Sequence, residues 1–300
     1  MTFDTITLKQ LKLLDAIVRH NSYTQAGKEM YLSQPAVSLQ IKSLEAHFEE
    51  ALLEKSNKQI HLTQTGKIVL ETAHAIQHQM EQMAAQIAYM KGKVAGPLDI
   101  AVVTSAKYFL PGYLGEFLQL YPHVTPRLTV TNRATILEAL TENRHNLYIM
   151  GQVPQRLKVE ARPFLENILE VVASPRHPLC DKENISLAEL AEERFLVREK
   201  GSGTLRATID LFAQQNLSIH PYMELGDTGA IKNAVMADIG IAVLSHHATK
   251  LERRSARMSV LKAKDFPLHR HWYAIYPGEK TLSIVTRTFL DFLMSKRQTT

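Results

Sequence analysis

Three observations predict the architecture. Two short helical patterns are separated only by Tyr31 to Ser33, an apolar stripe further on steps by four and three residues without a break, and short apolar strands alternate with helices after residue 97. Together they predict an N-terminal winged helix-turn-helix (residues 1–65) and a long dimerisation helix (66–93). A C-terminal α/β domain of two lobes (94–300), built like a periplasmic binding protein, completes the chain. Its first lobe takes in about 94–162 and 269–300, its second about 163–268.

The elements follow in order. Leu8, Leu11, Leu14, Ile17 and Val18 recur at helical spacing behind Thr7, a suitable N-cap, until Asn21-Ser22 breaks the pattern. A second helix is predicted from about Thr24 to Met30, burying Ala26 and Met30. The third starts after Ser33 with Pro35 in its first turn, where a missing N–H costs nothing, and turns Val37, Ile41 and Leu44 inward. Helices joined by so tight a turn form the geometry in which the second helix enters the major groove. LLEKSNKQIHLTQT, residues 52 to 65, reads as a strand pair around Ser56-Asn57, the wing.

From Thr65-Gly66 a long helix carries Val69, Ala73, Ile76, Met80, Met83, Ile87, Met90 and Val94, the 3.5-residue period of a coiled-coil seam. Its opposite face is Gln, His and Glu, so the stripe is assigned to dimerisation. Gly96-Pro97 then marks a boundary. Beyond it LDIAVVTS, RLTVTN, NLYIM, LEVVAS, RFLVRE, PYMEL, IGIAVLS and HWYAIYP alternate with helical patterns, predicting largely parallel central strands. A tail helix, Leu282 to Met294, is expected to pack back. Ligands of such bodies lie in the crevice at the carboxyl ends of strands.

Composition narrows the function. With 45% hydrophobic and 22% charged residues among 300, the chain is expected to be globular. No apolar run approaches the roughly 20 residues of a bilayer span, and MTFDTITLKQ lacks the order of a signal peptide, so no membrane partner and a cytoplasmic location are expected. Cys180 stands alone, which excludes a disulfide or thiolate metal site within one chain. The net charge of +5 is misleading as a nucleic-acid signal. Residues 1–66 hold seven basic and seven acidic residues, whereas residues 250–300 hold eleven basic and four acidic. DNA binding by the N-terminal part must therefore rest on where individual side chains stand.

In the third helix Gln34 can pair bidentately with adenine, and the Pro35 ring can lie against a thymine methyl. Thr24, Ser33 and Ser38 are small donors for phosphate oxygens, while Lys42, Lys55 and Lys58 supply backbone charge, the last two from the wing. Alone, SQP is equally a capped helix start. With the tight turn, the wing ending in LTQTG and the seam, residues 8–66 resemble the winged helix-turn-helix of LysR-type transcriptional regulators, and the resemblance covers the whole chain. AVVTSAKYFLPGYL, LYIMGQVP, RFLVREKGSGTLRA, AIKNAVMADIGIAVLSHH and FPLHRHWYAIYPGEKTLS look most like the CbbR regulators of carbon-fixation operons. The resemblance implies a homodimer or homotetramer on double-stranded DNA, governed by a small anionic metabolite. The chain departs from the family pattern at Leu39, where many members carry Arg, and at Phe48-Glu49, where Leu-Gly is usual. It also has Asn146 for a common Asp and Asp238 for a usual Gly.

REKGSGTLRA places Ser202, Gly203, Thr204 and Arg206 where a strand gives way to a helix, a turn suited to an anion. It lacks the Lys-Ser/Thr of a Walker loop, and read alone it is equally an ordinary turn. Across the cleft Thr104, Ser105 and Lys107 follow one strand, and Asn132 and Arg133 another; Thr228 completes the candidate effector-binding set. Hydroxyls, N–H groups and cations converging from two lobes suit a phosphorylated or carboxylated metabolite. Thirteen histidines invite a metal, but His74 and His78, four apart, have no evident third ligand, so none is expected. Neither a cofactor nor a catalytic set is expected, since no Ser lies in a G-x-S-x-G elbow. Trp272 reads as core or interface. Two alternatives stay open: a LysR-type regulator of another pathway, and a solute-binding protein or enzyme whose N-terminal region serves assembly.

Overall fold

The structure, a computed structural model, describes residues 6–56, 59–279 and 281–296 and divides into two compact units, Met1–Ala84 and Ala85–Thr300. In the first, α1 (Leu8–His20), α2 (Tyr23–Met30) and α3 (Gln34–Phe48) precede the hairpin β1 (Leu53–Ser56) and β2 (Gln59–Leu62), then α4 (Gln64–Met90). Thr7 and Gln10 form a reciprocal capping box at the start of α1. The second helix starts one residue earlier than predicted because the Ser22 hydroxyl, accepting from Gln25 N–H at 3.2 Å, is its cap. Leu13, Leu14, Ile17, Val37, Ile41, Leu44 and Leu52 make the core, with Ala26 buried and Met30 only half-buried. Ser56 pairs with Gln59, and the turn expected around Ser56-Asn57 lies partly outside the described residues.

Two backbone features position the wing. Glu49 takes the left-handed conformation (φ 55°), one that suits the Gly expected there from the family resemblance, and Glu45 Oε1 accepts from the N–H groups of Leu52 and Leu53, at 2.9 and 3.4 Å. After the hairpin, a Cβ on Gly66 would collide with the Leu52 carbonyl, so only glycine lets α4 start this close.

In the second unit β3 (Gly96–Val103) leads through a 3-10 turn (Thr104–Tyr108) to α5 (Leu110–Leu120), β4 (Val124–Thr131), α6 (Arg133–Thr141), β5 (Leu147–Met150) and β6 (Val159–Ala173). There follow α7 (Leu187–Ala191), β7 (Phe195–Arg198), α8 (Gly203–Gln214), β8 (Pro221–Leu225), α9 (Thr228–Met236) and β9 (Ala242–Ser245). The chain closes with α10 (His246–Arg254), β10 (Ser259–Val260), β11 (Leu268–Pro277) and α11 (Ile284–Lys296). The expected parallel strands are found in β3 with β4, β3 with β5 and β7 with β8. The rest is a correction: β11 runs antiparallel to β5 and β6, and β9 and β10 run antiparallel to β6.

Strands β6 and β11 explain that difference. They pair along ten residues of β11 and pass from one lobe to the other, so the limits expected near 162 and 268 fall inside or at the edge of these strands. The lobes are therefore joined by paired strands, which can twist without breaking the sheet. One core gathers Ile100, Phe117, Trp272 and Phe289, and the other Leu169, Phe195, Phe212 and Ile241. The tail helix packs on the first, with the Phe117 and Phe289 rings edge to face at 4.9 Å.

Two departures from the family pattern find local roles. Asn146 Oδ1 accepts from Asp99 N–H at 3.0 Å while its own N–H donates to the Asp99 carbonyl at 2.9 Å, tying the start of β5 to β3. Asp238 ends α9 with φ 61°, a conformation that costs most L-residues about 1 kcal/mol or more, Asp less. Asp238→Gly is expected to raise the second unit's unfolding temperature by about 1–2 °C, after the larger unfolded-state entropy of glycine is deducted. Calorimetry of this variant beside Asp238→Ala checks the sign, and a lower midpoint for glycine would contradict it.

Candidate nucleic-acid interface and ligand cleft

Helix α3 buries Val37, Ile41 and Leu44 and leaves Gln34, Pro35 and Lys42 exposed, with Ser38 half-buried at the edge of the face. The Ser33 hydroxyl accepts from Ala36 N–H at 3.4 Å, so it caps the helix and keeps its own proton to donate. Thr24 is exposed at the start of α2. Lys55 is exposed on β1 with its ammonium 5.4 Å from the centre of the Tyr23 ring, and Lys58 lies outside the described residues. The hairpin is tied to the α1–α2 corner by Ile60 N–H, which donates to Asn21 Oδ1 at 2.7 Å. Two exposed side chains escaped the sequence reading as candidates: Tyr31, 95% exposed between α2 and α3, and Leu39, 68% exposed on α3.

The seam separates in two. Val69 and Ala73 are buried in their own domain's core, whereas Ile76, Met80, Met83, Ile87 and Met90 are exposed by 37% to 86%. A groove beside the stripe, lined by Leu8, Leu11, Ala73 and Met80, holds the His74–Asp15 contact at 2.8 Å. Burial pushes the Asp15 carboxyl up, but hydrogen bonding and charge from His74 and Arg19 outweigh it and hold the pKa below its ordinary value.

Between the lobes of the second unit lies an open cleft of about 480 Å³. Thr104, Ser105, Asn132 and Arg133 line it from the first lobe, and Ser202, Gly203 and Thr204 from the second, seven of the ten predicted positions. The other three are elsewhere, each held by a partner. Lys107 donates to Asp227 Oδ1 at 2.7 Å, bridging the lobes. Arg206 pairs with Asp210 at 2.9 Å one turn along α8, and Thr228, buried, accepts from Arg198 at 2.9 Å. Burial raises the Asp227 carboxyl, but Lys107 and the N–H groups of Gly229 and Ala230 outweigh it and keep the pKa below its ordinary value. Asn132 lines the cleft with its Oδ1 accepting from Thr135 N–H at 3.0 Å, which holds the side chain and leaves its amide N–H groups to donate.

The cleft also contains Asn167, Arg198, Glu199, Arg270 and Trp272, none of them singled out as ligand-binding in the sequence. Arg198 is neutralised by a two-pronged contact with Glu199, both bonds 2.7 Å. Arg133 and Arg270 differ: each donates to a backbone carbonyl, of Gln152 at 2.9 Å and of Gly203 at 3.3 Å, and among the described residues neither has an acidic partner within 4.0 Å. Burial, then the Arg270 charge, lowers the pKa of Arg133. Three guanidiniums against the single carboxylate of Glu199, itself engaged by Arg198, favour an anion in this cleft.

Three residues that line the cleft each carry a buried polar atom with no hydrogen-bond partner among the described residues: Thr104 Oγ1, Asn167 Oδ1 and Trp272 Nε1. Such atoms are costly unless something satisfies them. Trp272 was expected to be core or interface; it is buried, and it also lines the cleft, at a register shift of β11 against β6 between Trp272 and Tyr273. Ser202 provides no side-chain cap for α8, so that helix opens its first N–H groups at the same wall. Residues bearing hydroxyls, an indole N–H and guanidiniums, with the start of α8, thus line one cleft.

Residues 8–67 match the model described as bacterial regulatory helix-turn-helix protein, lysR family, and residues 91–298 match the LysR substrate binding domain. The chain is 41% identical to the HTH-type transcriptional activator CmpR of Synechocystis sp., over 96% of this chain and 95% of that protein. It is 38% identical to a RuBisCO operon transcriptional regulator of Allochromatium vinosum, over 97% and 96%. Among solved structures, the Synechocystis CcmR regulatory domain in complex with 2-PG aligns with a TM-score of 0.65 and 40% identity, covering 67% of this chain and 97% of that one. No helix among the described residues is long and apolar enough to cross a membrane.

Proposed function

The chain belongs to the lysR family of bacterial regulatory proteins, and from that premise we propose that it is a cytoplasmic transcriptional regulator of carbon-fixation genes. It binds double-stranded DNA as a homodimer or homotetramer and takes a small anion carrying phosphate and carboxylate groups, of the 2-phosphoglycolate type, between the lobes. The regulators to which it is similar support the first part, and the relative bound to 2-PG supports the second. The observation that carries the ligand reading is the pair of arginines that have no acidic partner among the described residues, in a cleft lined by three residues with an unsatisfied buried polar atom.

The anion works by preferring one arrangement. Closing the lobes about β6 and β11 brings Arg133 and Arg270 onto one ligand together with the start of α8. A preference of about 1–3 kcal/mol for the closed arrangement is an ordinary allosteric coupling. Through the oligomer it changes the spacing of the two α3 helices on a partly symmetric operator.

Titration calorimetry of the full chain with 2-phosphoglycolate, and gel shifts on the DNA upstream of its own gene with and without that anion, test the reading. Binding of the anion together with an altered DNA complex is expected. Tight binding of the anion without any effect on DNA would refute the regulatory half. Gln34→Ala is expected to reduce preference for this DNA by about 1–3 kcal/mol per half-site while retaining nonspecific affinity. Equal losses on specific and random DNA would remove Gln34 from base readout.

A further inference from the structure

On the proposed DNA-reading role of α3 rests one more assignment. Its outward face is the row Pro35, Leu39, Lys42 and Ala46, spaced by four, three and four residues and exposed throughout, opposite the buried row Val37, Ile41 and Leu44. Leu39 stands at the centre of that row, one turn beyond Pro35 and one turn before Lys42, with two thirds of its surface open. No acidic side chain lies on this row. A guanidinium here would reach guanine O6 and N7, but an isobutyl group has no hydrogen bond to offer a base. What it can meet in a major groove is the one apolar group displayed there, the thymine C5-methyl.

We infer that Leu39 is a specificity-determining residue that reads thymine through its methyl group. The departure from the family's Arg is then a change of base preference rather than a loss of readout. Pro35 on one side and Lys42 on the other set the depth of the helix, so the leucine contact lies between a base-edge contact and a phosphate contact. Its exposure in the free protein is needed for this role and has no use in the core, which Val37, Ile41 and Leu44 fill.

Uracil deletes that methyl without altering a hydrogen-bonding edge. Fluorescence anisotropy of the full chain is to be measured on the footprinted DNA upstream of its own gene, with each thymine replaced in turn by deoxyuridine. At one thymine per half-site the wild-type protein is expected to lose about fourfold in affinity, the value of one buried methyl. Leu39→Ala is expected to bind the unmodified DNA about as weakly and to be indifferent to uracil at that same position, the coupling expected of two groups in contact. Additive losses at every thymine of the footprint would overturn the assignment while leaving the regulator reading intact. Equal affinity of the wild type for this DNA and for random sequence would overturn both. Thermal unfolding of Leu39→Ala at the wild-type midpoint verifies that the exposed site was altered without disturbing the fold.

Discussion

Replacing Met80 and Met83 together by glutamate is expected to yield monomers and to weaken binding to the upstream DNA by about a hundredfold or more. In the structure Met80 and Met83 are 43% and 54% exposed at successive seam positions, Met80 at the edge of the groove beside Leu8 and Leu11, so a large part of each side chain is left open. Pairing two copies would bury four such side chains, each contributing about 1.5–3 kcal/mol when fully enclosed. Glutamates at the same positions would instead desolvate like charges at close range. A monomer holds a single half-site and loses the effective concentration, of order millimolar, that makes the second contact intramolecular. Because the N-terminal domain has no net basic charge to compensate, the loss should appear in full. Light scattering and anisotropy on one sample measure both effects. A double variant that stays dimeric with unchanged affinity would show that the exposed stripe is not the interface.

Arg133→Met should lower affinity for 2-phosphoglycolate by about one to two orders of magnitude, the range of a charge-assisted hydrogen bond. The same substitution is expected to raise the unfolding temperature of the ligand-free chain. Arg133 and Arg270 line a common cleft whose one carboxylate, Glu199, is engaged by Arg198, and burial and the Arg270 charge push the Arg133 pKa down. Removing one charge relieves the empty cleft and deprives the ligand of a partner, so the two readouts move in opposite senses. Calorimetry for affinity and scanning fluorimetry for the midpoint separate them. An unchanged affinity would remove Arg133 from the anion site.

Much of the N-terminal unit was legible because its determinants are local. Thr7, Ser33 and Pro35 mark helix starts through bonds spanning three or four residues, and the inward row of α3 follows from a period of 3.6. Small misses had local causes too, such as Ser22 capping α2 in place of a start at Thr24. The ligand cleft was half legible. Turns after β3, β4 and β7 drew attention to Thr104, Arg133 and Ser202, because chemistry at strand ends can be anticipated from the strand pattern. Asn167, Arg270 and Trp272 could not be separated from ordinary strand residues, since nothing in an alternating pattern says which member meets a cavity.

The chain's order of residues alone determined the helix-turn-helix, the long helix α4 and the α/β alternation, since caps and periodicity act between near neighbours. Tertiary structure alone decided which polar groups are spent and which are left open. Lys107 is held by Asp227 across 120 positions and Thr228 by Arg198 across 30, so both are consumed holding the protein together. Arg133 and Arg270, brought to one cleft by α6 and β11, have no such acidic partner among the described residues. The physical reason is that a charge acts as a ligand group only if folding leaves it uncompensated, and compensation depends on distant segments meeting in space.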